Sequence, residues 1–208
     1  MTAALTADDI RRALTRPLPG VAAQVRLAPP YRFDQLLQPP PADARPAGVL
    51  IVLYPRGEAL HFLLTRRTDD VENHKGQISL PGGAQEDGES LLDTALRETR
   101  EEIGVRVEPS AVLGRLSPVY VPPTGFLITP YVAALPARPH FVVMQREVAE
   151  LIEAPLSALF DPSIVRREVW TLRGAEVEVP FFQIGPYKVW GATAMVLSEF
   201  AAAIGSAS

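Results

Sequence analysis

Glu98, Glu101 and Glu102 stand at i, i+3 and i+4 within the stretch LLDTALRETREEIGV. On a helix that spacing stacks three like charges on one face, where they repel unless something positive sits among them. Two readings of the residues compete. One is a solvated acidic face, partly balanced by Arg97 and Arg100. The other is a group of hard oxygen ligands for a divalent cation such as Mg²⁺. Gly82 and Gly83, just upstream, allow a close backbone approach, so a carbonyl could join such a site. Glu89 adds an acid from the loop that enters the helix.

The helix that must carry these groups has clear ends. Ser90 is an N-cap with Asp93 three residues on, and Gly104 is a C-terminal stop. At about 100° per residue, Leu92, Ala95, Leu96, Thr99 and Ile103 form one buried stripe, with the glutamates on a separate face roughly 120° away. Gly48–Tyr54 is a continuous apolar run, the mark of a strand buried on both faces. Ala59–Thr65 follows after a turn. Further strands are expected at Val112–Val121, Leu127–Ala134, His140–Met144, Val165–Leu172 and Glu176–Gln183. Other helices are expected at Thr6–Thr15, at Glu147–Phe160 (interrupted at Pro155) and at Ala192–Ile204. Helices among mixed strands predict a layered α/β fold.

The bulk properties set outer bounds. The 208 residues suit one well-buried domain with an extra terminal element. Six of the 21 prolines lie between Pro29 and Pro46 and read as an extended connector. The expected division is therefore residues 1–46, an N-terminal helix and proline-rich connector, and residues 47–208, the main domain. A net charge of −4 argues against coating nucleic acid or an anionic membrane, so positive charge for an anionic ligand must be local. The absence of cysteine excludes thiolate chemistry. No apolar run approaches a membrane span, and the expected location is the cytoplasm.

Gly83, Glu89, Arg97, Glu98, Glu101, Glu102, Gly104 and the aliphatic Val105 have the spacing of the Nudix box. Thr99 stands where an apolar residue is usual. The resemblance implies a Nudix-type α/β/α sandwich with a mixed β-sheet and hydrolysis of a nucleoside diphosphate linked to another group. It also implies that Glu98, Glu101 and Glu102 hold Mg²⁺ or Mn²⁺, with Glu89 and the backbone at Gly83 in support. Arg97 would orient the acids. Glu98, Glu101 and Arg97 are the expected catalytic residues, with Glu98 the first choice of general base and Glu147 or Glu150 as alternatives.

A second resemblance narrows the substrate. Leu63-Leu64-Thr65-Arg66-Arg67-Thr68 and Gly76-Gln77-Ile78-Ser79-Leu80-Pro81-Gly82-Gly83 are similar to the signature of the coenzyme A pyrophosphatase branch of that family. Thr124-Gly125 through Thr129-Pro130 and Val189-Trp190-Gly191-Ala192-Thr193-Ala194 also resemble it. Glu72 departs from the usual arginine and Leu80 from the usual phenylalanine. The implied activity is cleavage of coenzyme A to 3′-phosphoadenosine 5′-phosphate and 4′-phosphopantetheine. Arg66, Arg67, His74, Lys75 and Gly82 would bind the phosphates, and Tyr120 and Phe126 belong either to the cleft or to the core. The alternatives are a Nudix hydrolase of NADH or ADP-ribose, and a non-catalytic nucleotide sensor. Oligomeric state is open.

Overall fold

The computed structural model describes residues 5–68, 76–172 and 174–205. The chain begins with α1 (Ala7–Leu14), α2 (Val21–Gln24) and α3 (Phe33–Leu36), then enters the sheet through β1 (Arg45–Arg56) and β2 (Ala59–Arg67). Next come β3 (Ile78–Ser79), β4 (Gly82–Ala84), α4 (Leu91–Ile103), β5 (Val112–Arg115), β6 (Val119–Val121), β7 (Phe126–Ala134) and β8 (Val148–Pro155). The last elements are β9 (Val165–Leu172), β10 (Ala175–Ile184), β11 (Tyr187–Trp190) and α5 (Gly191–Gly205). The main sheet runs β3-β2-β1-β7-β5, with β4 added to β1, β6 to β7 and β8 to β2; β11-β10-β9 form a second, three-stranded sheet. β1 and β7 are parallel while the other pairs are antiparallel, so the main sheet is mixed.

β1 shows why the fold is layered. Ile51 and Leu53 enter one core with α1 and α5, while Leu50, Val52 and Tyr54 enter another with Ala95 and Ile103 of α4. A strand covered on both faces has no polar side, which is why its sequence is one apolar run. The result is the expected helix–sheet–helix stack. Among the described residues no helix is long and apolar enough to cross a membrane.

Three expectations require correction. Glu147–Phe160 is not a helix: Val148–Pro155 is strand β8, and Leu156–Phe160 is a short 3-10 turn. Pairing with β2 from His61 to Arg67, with Ile152 and Ala154 turned into the core, overrides the helical propensity of its Ala, Glu and Leu. His140–Met144 forms no strand. Instead the Val142 and Met144 amides donate to the Ile103 and Glu102 carbonyls, both at 2.9 Å, satisfying acceptors that the end of α4 leaves open. Val112–Val121 is two strands, β5 and β6, because the chain breaks at Leu116-Ser117-Pro118.

The proline-rich stretch is also more structured than an extended connector. It contains a 3-10 turn at Pro30–Arg32 and α3, and Ala28 and Arg32 are buried. Ahead of it, Ile10, Ala13, Leu14 and Leu27 lie in the same core as α5. Gln24 donates to the Glu199 carboxylate at 2.8 Å, and Ser198 donates to the Ala23 carbonyl at 2.7 Å.

Candidate active site

α4 forms where its sequence says it should. Ser90 Oγ accepts from the Asp93 amide at 3.2 Å, the Asp93 carboxylate accepts from the Ser90 amide at 3.3 Å, and Gly104 ends the helix at φ 71°. Its docking depends on glycines. A Cβ at Gly48 would lie 2.2 Å from the Leu91 carbonyl, and one at Gly83 would lie 2.5 Å from the Glu98 carboxylate. β1, β4 and α4 can therefore meet almost backbone to backbone, and this holds Glu98 against the Gly82-Gly83 strand.

Arg97 gathers the acids around this corner. Its Nε and Nη2 donate to the Glu89 carboxylate at 3.1 and 2.8 Å, while Nη1 reaches Glu98 at 2.8 Å and Glu101 at 3.1 Å. The Glu86 amide and Thr94 Oγ1 add donors to Glu89, each at 2.8 Å. The Arg97 fork, with these donors, holds the Glu89 carboxyl down to about 2. Glu89 in turn favours the charged form of Arg97.

Glu102 has a different environment. It is 3% exposed, which places it in the buried stripe of α4 rather than on an exposed acidic face, whereas Glu101 is exposed. The Gly82 amide donates to it at 3.2 Å, and Arg67 stands 3.9 Å away. Burial pushes its carboxyl up to about 8; Arg67 opposes the shift, and Glu98 and Glu147 reinforce it. Burial also raises Glu98, against the pull of Arg97. Glu98 is part-buried and paired with Arg97, but the buried Glu102 has only Arg67, at 3.9 Å, as a counter-charge among the described residues and is short of positive charge.

These groups form one end of a cleft of about 1310 Å³. Arg67, Gly82, Gly83, Glu98 and Glu147 line it, together with Gln77–Leu80, Thr124, Phe126 and Trp190–Thr193. Arg66 is placed elsewhere. Its Nε donates to Glu150 at 3.2 Å, and Tyr187 holds the other oxygen of that carboxylate. Glu150 is thereby occupied, while Glu147 faces Glu98 and Glu102. Leu80 is buried in the core, so its departure from phenylalanine is a packing change. Phe126 lines the cleft, and the Tyr120 side chain is half-buried. Glu72, His74 and Lys75 lie outside the described residues. Sequence reading missed Arg32 and Arg45, which also line the cleft; nothing in a proline-rich run signals that an arginine there reaches the site.

The NUDIX domain model matches residues 44–170 of the chain. The chain belongs to the Nudix hydrolase family. A relative from Enterobacter sp. (strain 638), "Uncharacterized Nudix hydrolase NudL", is 36% identical over 181 residues, covering 82% of this chain and 91% of that one. The NudL protein of Photorhabdus laumondii is 34% identical over 175 residues, covering 82% and 92%. Among solved structures, a MutT/nudix family protein from Enterococcus faecalis superposes with a TM-score of 0.59 at 19% identity, over 89% of this chain and 73% of that one. At that identity the likeness speaks for the Nudix fold alone.

Nudix hydrolases generally use divalent metal ions such as Mg²⁺. The donor set of this Nudix hydrolase fits such an ion: hard carboxylate oxygens, a glycine strand pressed against one of them, and a buried carboxylate short of positive charge. Among the described residues no three acids already surround a common point, because Arg97 holds Glu98 and Glu101.

Proposed function

We propose that this Nudix hydrolase cleaves the pyrophosphate bond of coenzyme A or its derivatives, giving 3′-phosphoadenosine 5′-phosphate and 4′-phosphopantetheine. One observation carries the reading. Three segments far apart in the chain that resemble the coenzyme A branch, Gln77–Gly83, Thr124–Phe126 and Trp190–Thr193, line one cleft together with Glu98. Glu98 and Glu102 would hold Mg²⁺ or Mn²⁺, with Glu101, Glu89 and the Gly83 carbonyl as further oxygens. The ion would neutralise the pyrophosphate and acidify a nearby water. Arg97 bridges and aligns Glu89, Glu98 and Glu101. Arg67, which lines the cleft, would meet a phosphate oxygen, a task suited to its planar fork. Glu98 is the first candidate to accept the proton of the attacking water. Glu147, facing it across the cleft, is the second candidate.

Incubation with Mg²⁺ and CoA, CoA disulfide, NADH, ADP-ribose and dGTP, followed by phosphorus NMR, tests the assignment. Turnover of a CoA species to the two named products is expected. Clear turnover of NADH or ADP-ribose with none of any CoA species would overturn it, as would tight nucleotide binding without turnover.

A further inference from the structure

The cleft is electrically divided. Glu98 and Glu147 line one end, where Glu102 is buried close by, while Arg32 and Arg45 line another part of it. Among the described residues neither arginine makes an ion pair with a carboxylate. Arg32 is 6% exposed, and burial lowers its pKa. One Nη donates to the Tyr120 carbonyl, but Nε has no partner among the described residues. A buried guanidinium with neither counter-ion nor full hydrogen bonding is unfavourable until an anion completes it. Arg45 stands over Phe126, its Cζ 4.0 Å from the ring centroid. A guanidinium held over an aromatic ring still has N–H donors to offer an oxyanion.

Strand register brings the two together. Arg45 pairs with Phe126 and Phe126 pairs with Val121, next to the Tyr120 carbonyl that anchors Arg32. Two strand spacings, about 10 Å, separate the two backbone anchors, and both side chains face the cleft. Along β1, Arg45 is three residues from Gly48, which pairs with Gly83 at the acidic end. That is also about 10 Å, the scale of one nucleoside unit.

We propose that Arg32 and Arg45 form a subsite for a phosphate monoester on the substrate's ribose, so that this hydrolase selects dinucleotide-like substrates carrying a third phosphate. The proposal rests on the reading above that the acidic end takes the pyrophosphate. It adds the N-terminal segment as a specificity element. The 3′-phosphate of CoA and the 2′-phosphate of NADPH share the required chemistry.

The test compares kcat/KM of the full-length, Mg²⁺-loaded protein for CoA against 3′-dephospho-CoA, and for NADPH against NADH. The wild type is expected to prefer the phosphorylated member of the pair it hydrolyses. Arg45→Gln, at an exposed position, and Arg32→Gln should each reduce that preference about tenfold or more, through KM. Arg32→Lys, which keeps the charge but not the fork, should retain part of it. A wild type indifferent to the third phosphate, or variants in which the preference is unchanged, would overturn the subsite. If CoA and dephospho-CoA turn over equally, the subsite falls and the CoA reading stands. If only the NADPH pair turns over and shows the preference, the CoA reading falls and the subsite stands.

Discussion

Glu102 is the residue on which the metal argument turns. Its carboxyl is buried beside Glu98, and its nearest cation among the described residues, Arg67, is 3.9 Å away. Without metal that charge opposes folding, so Mg²⁺ is expected to raise the melting temperature of the wild type. In Glu102→Gln the metal-free protein should melt no lower than the wild type, gain less from Mg²⁺, and turn over about 100-fold more slowly. Calorimetry with and without the ion checks this. An equal Mg²⁺ shift in both proteins would remove Glu102 from the metal set. The spacing of Glu98, Glu101, Glu102 and Arg97 was legible because helical periodicity is local. That Glu102 lies in the buried stripe was not, since β4 and Arg67 cover it from elsewhere in the chain. Nor could the sequence say which of two adjacent arginines enters the cleft. A register shift between Arg66 and Arg67 against β8 accompanies the choice of Arg67.

At the scale of elements, β8 is the informative miss. Its residues favour a helix locally, and only the unpaired edge of β2 makes a strand of them. Once there, Glu153 accepts from Arg138 at 2.7 and 2.9 Å and from the buried Tyr54 hydroxyl at 2.8 Å, tying β8 to β1. Arg138, aided by Tyr54, holds the Glu153 carboxyl below its ordinary range. A depressed carboxyl stabilises the fold above its unfolded pKa, and that stability is lost as pH falls through the folded value. Arg138→Gln should therefore lower stability at neutral pH, with the gap to wild type closing below about pH 4.5. Denaturant midpoints measured across acidic pH would show it. A gap that is constant with pH would mean the pair contributes through packing alone. By contrast β1, β2, β7 and α4 were legible, because their own residues carry the strand or helix period and the caps.

For the whole molecule, the N-terminal segment is an integral part of the packing rather than an appendage. Ile10 and Leu27 are buried with Phe200 and Leu197 of α5, and Gln24 bonds to Glu199. A sequence reading could see the helix and its capping box at Thr6, but a run of prolines hid the fact that the chain doubles back onto the sheet. Ile10→Ala is expected to cost about 2–5 kcal/mol and to shift a single cooperative transition. A separate early transition for this segment, with the main one unmoved, would contradict that coupling.

The cleft unites Arg32, contributed before the first strand, with Thr193 on α5, the last described element. Its walls therefore come from segments about 160 residues apart in the chain. The acidic helix packs on β1 in a core that α5 does not enter, and α5 supplies a separate wall through Ala192, Thr193 and Val196. The cleft is therefore complete only where α5 is packed against α2, through Gln24 on Glu199 and Ser198 on Ala23.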